Sequence, residues 1–244
     1  LKRFQQPPNI RVRLTVVIPA RDEEAVIQDT LRRVLATLSP HYHELEIVVV
    51  DDGSTDRTAE LVAEVAAQDA RVKLVRHDRG YGGGRAVRTG ILHASGDVIV
   101  AVDADLSYTP DQIPRLVKAV EQGADIAIGS PFMRGGGVEN VPRFRLWLSK
   151  WGNKLLGRVL GGYTCVTGIF RAYRREVARE VAERIHLDGK ELWPETVYYA
   201  RKRGWKIVEV PAILRGRRAG RSKFKAGKAI VSHLRLLFRY LLRR

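Results

Sequence analysis

The feature that most constrains this chain is an alternation of short apolar runs with longer segments of helical period. Residues 14–18, 46–50, 72–75 and 98–102 are runs of strand length rich in Val, Ile and Leu. They are largely apolar without a polar alternation, as suits strands covered on both faces. Residues 23–38 place Ala25, Ile27, Leu31, Val34, Leu35 and Leu38 at helical spacing. Residues 56–67, the stretch from the glycine-rich 80–84 to about 94, and 110–121 read as further helices, and 125–128 as a fifth strand. Strand and helix in strict turn admit few topologies, because parallel strands need right-handed crossovers. The expected fold class is α/β, a Rossmann-type, mainly parallel sheet flanked by helices.

The second half is less regular. Residues 1–10 read as a loose lead-in, and Gly135-Gly136-Gly137 as a flexible joint. A helix over 142–160 carries Leu148, Trp151, Leu155 and Val159 on one side and Lys150, Lys154 and Arg158 on a neighbouring stripe. A strand over 167–172, a helix over 191–203 and a strand over 206–210 follow, then a basic loop over 215–228. A last helix, about 226–243, sets Ile230, Leu234, Leu237, Phe238 and Leu241 on one face and Lys228, Arg235, Arg239 and Arg243 on another. Such a helix packs on its own domain or lies on an anionic membrane surface; the basic stripe favours the surface.

A chain of 244 residues, 45% apolar, supports one large domain or one with an appendage. The net charge of +16 and pI near 10.4 point to an anionic partner. The single Cys165 excludes an internal disulfide and suits a reducing cytoplasm. There is no apolar run of 18 or more residues and no signal-peptide pattern. The chain opens on Leu1 and stops at Arg244 within a helical pattern. The expectation is a cytoplasmic protein, peripheral on a membrane or anchored to it by segments beyond these residues.

Asp103-Ala104-Asp105 carries the chemistry. It follows the run at 98–102 and precedes Thr109-Pro110-Asp111, a helix start with a capping Thr and a Pro in the first turn. Ligands of open α/β sheets bind at the carboxyl ends of the strands. Two carboxylates there suit Mg²⁺ or Mn²⁺ shared with a diphosphate. Taken singly, the pair reads equally as a helix cap. Asp51-Asp52-Gly53-Ser54-Thr55-Asp56 closes another strand. Alone it is a turn with a cap; together the two clusters face one cleft. Gly80-Tyr81-Gly82-Gly83-Gly84-Arg85 lacks the Lys-Ser/Thr of a P-loop and follows the third strand, so it reads as a flexible turn with Arg85 near phosphate.

Val17-Ile18-Pro19, Val49 to Asp56, Arg88-Thr89-Gly90 and Asp103-Ala104-Asp105 together resemble the inverting glycosyltransferases of family 2, which have a GT-A fold and use nucleotide-sugars. Arg145, Ser149 and Asn153, then Thr167 to Tyr173, Glu195, Glu209-Val210-Pro211 and Arg217-x-x-Gly220-x-Ser222-Lys223 resemble the dolichyl- and polyprenyl-phosphate mannose and glucose synthases. The likeness covers about 14–225, which implies a GT-A domain over 1–225 and an amphipathic helix over 226–244.

The resemblance implies the following roles. Pro19, Asp22 or Glu23, and Asp52 line the nucleoside pocket. Asp103 and Asp105 bind the metal and diphosphate. Arg217, Ser222 and Lys223 close over the donor or lipid phosphate, and Arg145 and Ser149 contact the acceptor phosphate. Asp103, Asp105, Arg217 and Lys223 form the catalytic set. The donor is GDP-mannose or a UDP-hexose, with mannose favoured; the acceptor is a polyprenyl or dolichyl phosphate, and no nucleic-acid partner is expected.

The chain departs from the family at Ala20-Arg21, Ser107, Pro131 and Cys165. The Gln-x-x-Arg-Trp element of processive polysaccharide synthases is absent. Alternatives are a transferase using a UDP-sugar with another acceptor, a sugar-nucleotidyltransferase and a basic nucleic-acid-binding protein. The nucleotidyltransferase needs a Gly-rich loop where Pro19-Ala20-Arg21-Asp22 stands. The nucleic-acid binder would show a recognisable motif.

Overall fold

The structure, a computed structural model, describes residues 12–216, 235, 236 and 238–240. Its strands are β1 (Leu14–Ala20), β2 (Leu45–Asp51), β3 (Val72–Arg76), β4 (Val98–Ala101), β5 (Ile126–Ser130), β6 (Gly137–Glu139), β7 (Arg171–Arg174), β8 (Ile207–Pro211) and β9 (Ile213–Arg215). Its helices are α1 (Ile27–Leu38), α2 (Thr58–Gln68), α3 (Gly83–His93), α4 (Ile113–Glu121), α5 (Arg143–Val159), α6 (Arg175–Arg184) and α7 (Leu192–Lys202). Seven strands form one sheet in the order β3-β2-β1-β4-β7-β5-β8, and β6 pairs with β9 beside it. Only β7 runs antiparallel to its sheet neighbours.

The unbroken apolar runs have the expected cause. Successive residues point to opposite faces, and both faces are covered. Val16, Ile18, Ile47 and Val100 pack with Leu31 and Val34 of α1, Val62 of α2 and Leu116 of α4. Val17 and Ile99 pack on the other side with Val87 and Ile91 of α3, Leu156 of α5, Val181 of α6 and Trp193 of α7.

Several expectations change. The strand expected at 167–172 begins only at Arg171, because side chains capture the backbone before it. Gly135–Gly137 is no loose joint: Gly136 N donates to Met133 O at 3.0 Å and Gly137 opens β6. The glycine-rich turn is likewise fixed, with Gly83 opening α3. Pro110–Gln112 is a 3₁₀ turn before α4, and the Thr109 hydroxyl accepts from Gln112 Nε2 at 3.1 Å rather than capping a backbone amide. Strands β6 and β9 and helix α6 had no counterpart in the sequence reading.

The apolar side expected of the 142–160 helix is divided, with Leu148 and Val159 half-buried. Asn153, Leu156 and Gly157 are its buried residues, whereas Trp151 and Leu155 are exposed. Described residues of the last segment are helical and meet the domain through Leu236 and Tyr240, both buried. Tyr240 stacks on Tyr198 at 4.9 Å and donates to Glu195 Oε2 at 2.8 Å. Phe238, from the face expected to be the apolar one, is 66% exposed. Among the described residues, no helix is long and apolar enough to cross a membrane.

Candidate active site

The adjacent strands β2, β1 and β4 present their carboxyl ends side by side. Asp52 N donates to Ala20 O at 2.8 Å, and Val102 N to Val17 O at 3.0 Å, so the loops after β2 and β4 are seated against β1. Pro19 lies within β1 opposite Val50. Beyond it the chain turns through Asp22 at φ +49°, a left-handed conformation that Asp tolerates better than most residues. Asp22 Oδ1 accepts from Thr55 N at 2.8 Å, Asp22 N donates to Ser54 Oγ at 2.9 Å, and Glu23 N donates to Thr58 Oγ1 at 2.8 Å. Asp22 and Glu23 thus knit the first loop to the second.

Asp52 is buried and organises the third loop. Its Oδ1 accepts from Tyr81 N at 3.0 Å and meets His77 Nδ1 at 2.8 Å, while Oδ2 accepts from Gly82 N at 2.8 Å. His77 Nε2 meets the Thr89 hydroxyl at 2.9 Å. Two amides of the glycine-rich turn are spent inside the protein. The amides of Gly84 and Arg85 are taken by Asp188 O at 2.8 and 3.2 Å, and Arg85 lies over the Tyr81 ring at 3.8 Å.

The turn after β4 carries Asp103 and Asp105. Leu106 N donates to Asp103 O at 3.1 Å, and the Thr30 hydroxyl pins Ala104 O at 2.6 Å. Asp105 is buried, and its Oδ1 accepts both Ser107 N at 2.9 Å and Ser107 Oγ at 2.7 Å. Among the described residues, no group of three or more His, Cys, Asp or Glu side chains could by itself hold a metal ion. Two hard carboxylates with one residue between them suit a Mg²⁺- or Mn²⁺-type cation that takes its remaining ligands from phosphate oxygens and water. Behind the turn, Tyr108 stacks on Phe170 at 4.6 Å. Its phenol is held well above the usual value by burial, then by Cys165 and the Asp103 charge, so it stays neutral.

The far wall at the same edge is segment 164–168. Glu209 accepts Thr164 N at 2.9 Å, the Thr164 hydroxyl at 2.8 Å and Cys165 N at 2.8 Å. Asn153, 1% exposed, accepts Val166 N at 2.7 Å and Thr167 N at 3.1 Å on Oδ1, and donates from Nδ2 to Ser149 O at 2.9 Å. The fully buried Arg171 donates to Val166 O at 2.6 Å, Gly168 O at 2.9 Å and Trp193 O at 2.8 Å. These bonds replace a strand ladder. Sequence reasoning quoted Asn153 and Glu209 within a pattern but missed what they hold; the available signal was a polar residue on the inner stripe of α5 and a carboxylate inside β8.

Arg145 and Ser149 sit exposed on α5, tied to this wall through Asn153. The outer face of α5 also shows Phe144, Trp147, Trp151 and Leu155, from 65% to 46% exposed, with Lys154 Nζ 4.9 Å from the Trp151 ring centroid. Arg217, Ser222 and Lys223 lie outside the described residues.

A mainly parallel, helix-flanked sheet with this acidic turn at its carboxyl edge is the GT-A glycosyltransferase architecture. The family model described as glycosyl transferase family 2 matches residues 15–182, and the chain belongs to that family. It is 36% identical over 94% of its length to a dolichol-phosphate mannosyltransferase of Pyrococcus furiosus, spanning 64% of that protein. It is 35% identical over 90% of its length to a polyprenol monophosphomannose synthase of Mycolicibacterium smegmatis, spanning 84% of that one. Among solved structures, a mannosyltransferase of Pyrobaculum calidifontis in complex with GDP-Man and Mn²⁺ matches at TM-score 0.66 and 22% identity, over 97% of this chain and 66% of that one. Glucosyl-3-phosphoglycerate synthase of Mycobacterium tuberculosis, in complex with Mn²⁺, UDP-glucose and phosphoglyceric acid, matches at 0.68 and 22%, over 95% and 79%. At this identity the two structures speak to the fold.

Proposed function

We propose that this chain transfers a hexose, with mannose favoured, from a nucleotide diphosphate sugar to a polyprenyl or dolichyl phosphate, with inversion at the sugar carbon, at the cytoplasmic membrane face. The observation that carries this reading is the buried Asp105 beside Asp103 at the end of β4, at the same sheet edge as the segment held by Asn153 and Glu209. Pro19, Asp22, Glu23 and Asp52 frame the nucleoside side. Asp103 and Asp105 hold a divalent cation, Mg²⁺ or Mn²⁺, which when bound neutralises charge on the donor diphosphate. An acceptor phosphate oxygen bonds to the anomeric carbon as the bond to the nucleoside diphosphate breaks. That oxygen is already anionic at neutral pH, so the demand falls on cationic positioning rather than on a strong general base. Arg145 and Ser149 orient the acceptor phosphate. Arg217, Ser222 and Lys223 are assigned to the phosphates on the sequence pattern alone.

The names of the two relatives support the lipid acceptor. The exposed aromatic row of α5 supports a membrane-facing side. Aromatic rings suit the headgroup level, and each basic residue near an anionic leaflet contributes about 1 kcal/mol. Residues 1–225 then form the catalytic domain and 226–244 an amphipathic helix whose outer face, with Phe238 and Arg235, meets the leaflet. The test is a panel of GDP-mannose and UDP-hexoses with a short polyprenyl phosphate, run on the wild type, Asp103→Ala and Asp105→Ala with Mg²⁺, Mn²⁺ or chelator. Cosedimentation with anionic and neutral vesicles accompanies it. Lipid-linked product that needs metal and both Asp residues is expected. Transfer that survives chelator refutes the metal assignment, and transfer to a soluble acceptor alone, without vesicle binding, refutes the lipid reading.

A further inference from the structure

The turn that follows Asp105 is bonded on two sides. On one side Ser107 gives both its donors, N–H and hydroxyl, to Asp105 Oδ1 at 2.9 and 2.7 Å. Two donors on one oxygen fix how the carboxylate is rotated. On the other side Ser107 O accepts Arg215 N at 2.8 Å, at the end of β9. A few residues on, the buried Gln112 acts as a false strand against β9, donating from Nε2 to Ile213 O at 3.1 Å and accepting Ile213 N on Oε1 at 2.6 Å. The other side of β9 pairs with β6, where Gly216 N donates to Glu139 O at 2.8 Å. Strand β9 is thus carried by the same short turn that aims one of the two carboxylates.

We propose that Ser107 is a positioning residue that couples the cation site to β9: its hydroxyl aims the Asp105 carboxylate, and its carbonyl carries any shift of that carboxylate into the backbone at Arg215. The proposal rests on the reading of Asp103 and Asp105 as the cation site. Neighbours that orient a ligating carboxylate typically set metal affinity by about 10–100-fold. Ser107 matters to the cation through Asp105, and to β9 through the main chain.

The test reads binding and backbone exchange rather than turnover. Mn²⁺ affinity is measured by electron paramagnetic resonance with GDP or UDP present. Amide exchange at 213–216 is measured with and without Mg²⁺ and the same nucleotide. Ser107→Ala is expected to weaken Mn²⁺ binding by about tenfold or more, whereas Ser107→Thr, which keeps the hydroxyl, restores it. In the wild type, Mg²⁺ with nucleotide should slow exchange at Arg215, and Ser107→Ala should reduce that slowing even at saturating Mg²⁺. Gln112→Ala should speed exchange at Ile213 and leave Mn²⁺ affinity at the wild-type value, separating a loosened β9 from a misaimed carboxylate. Wild-type Mn²⁺ affinity in Ser107→Ala, or Arg215 exchange indifferent to Mg²⁺ in the wild type, overturns the coupling. A wild type that binds no Mn²⁺ with either nucleotide overturns the transferase reading first, and the coupling with it.

Discussion

Asn153→Ala should be among the more damaging single changes outside the sheet. The side chain is 1% exposed, and its Oδ1 is the acceptor for Val166 N at 2.7 Å and Thr167 N at 3.1 Å. Truncation leaves both amides without that acceptor and removes the Nδ2 bonds to Ser149 O and Thr167 Oγ1 at 2.9 and 3.0 Å. A buried donor left unmade costs about 1–3 kcal/mol. Val166 is fully buried and takes that cost in full, whereas Thr167 is half-buried and water can relieve part of it. Adding the lost packing, the expected destabilisation is roughly 2–4 kcal/mol. For a chain of this size that lowers the melting temperature by about 5–15 °C. Urea unfolding should show the midpoint falling with the slope unchanged, the mark of lost native stability rather than an altered unfolded state. Thr167→Val, which removes only the hydroxyl contacts, should cost about 1 kcal/mol. A loss below about 0.5 kcal/mol for Asn153→Ala, the range of an ordinary surface change, would refute the view that Asn153 holds the wall to α5.

Three further outcomes follow from individual contacts. Burial pushes the Cys165 thiol up to about 11, so in the native protein it should resist thiol reagents at neutral pH and react only in denaturant; fast stoichiometric labelling of folded protein contradicts this. Burial works to raise the Glu46 carboxyl, but bonds from Lys73, Thr15 and Ser95 N hold it below its ordinary value. A depressed folded pKa means stabilisation that is present above the unfolded value and lost as pH falls through the folded one, so Glu46→Gln should cost stability at pH 7 and flatten the acid limb of a urea-stability profile below about pH 4; an unchanged limb counts against it. A Cβ on Gly84 would run into the carbonyl of Gly189 and come within 2.9 Å of Leu187 O, whereas one on Gly83 meets nothing within 4 Å. Gly84→Ala should therefore cost about 1–3 kcal/mol and Gly83→Ala should be near neutral in thermal melts; equal melting temperatures would contradict the close packing of 187–189 on α3.

The acidic edge of β1, β2 and β4 is readable in the sequence because its determinants are local. β1, β2 and β4 are largely apolar runs, and each is followed within a residue or two by the carboxylates at its end. The wall is not, because its determinants are distant in sequence. Residues 167–170 look like the start of a strand, yet Thr167 N goes to Asn153 on α5 and Gly168 O to the Arg171 side chain, with Phe170 O meeting Gly129 N of β5, and the preceding Thr164 and Cys165 are claimed by Glu209. Strands β6 and β9, at three residues each, are too short to show a period. Helix α6 buries only Val177, Ala178, Val181 and Ala182 amid charge, a weak stripe. In the last segment, the described Leu236 and Tyr240 are buried and the Tyr240 hydroxyl finds Glu195; no count of apolar residues along the sequence reports that bond.

The two segments that meet at this sheet edge are therefore held by different forces. At the ends of β2, β1 and β4, continuous parallel ladders and a core on both faces set the backbone that carries Asp52 and Asp103, and Ser107 adds a side-chain bond that turns the Asp105 carboxylate. In the other segment, Asn153, Glu209 and Arg171 set the position of 164–168 through side-chain bonds to its backbone. A ladder spreads a perturbation over many bonds. A buried side-chain network concentrates it, since each unmet partner bears its full desolvation cost. Substitutions in this wall can thus move α5, with Arg145 and Ser149, while leaving the nucleotide side in register. On the assignment proposed above, the geometry facing the acceptor is in this way separable from the geometry facing the donor.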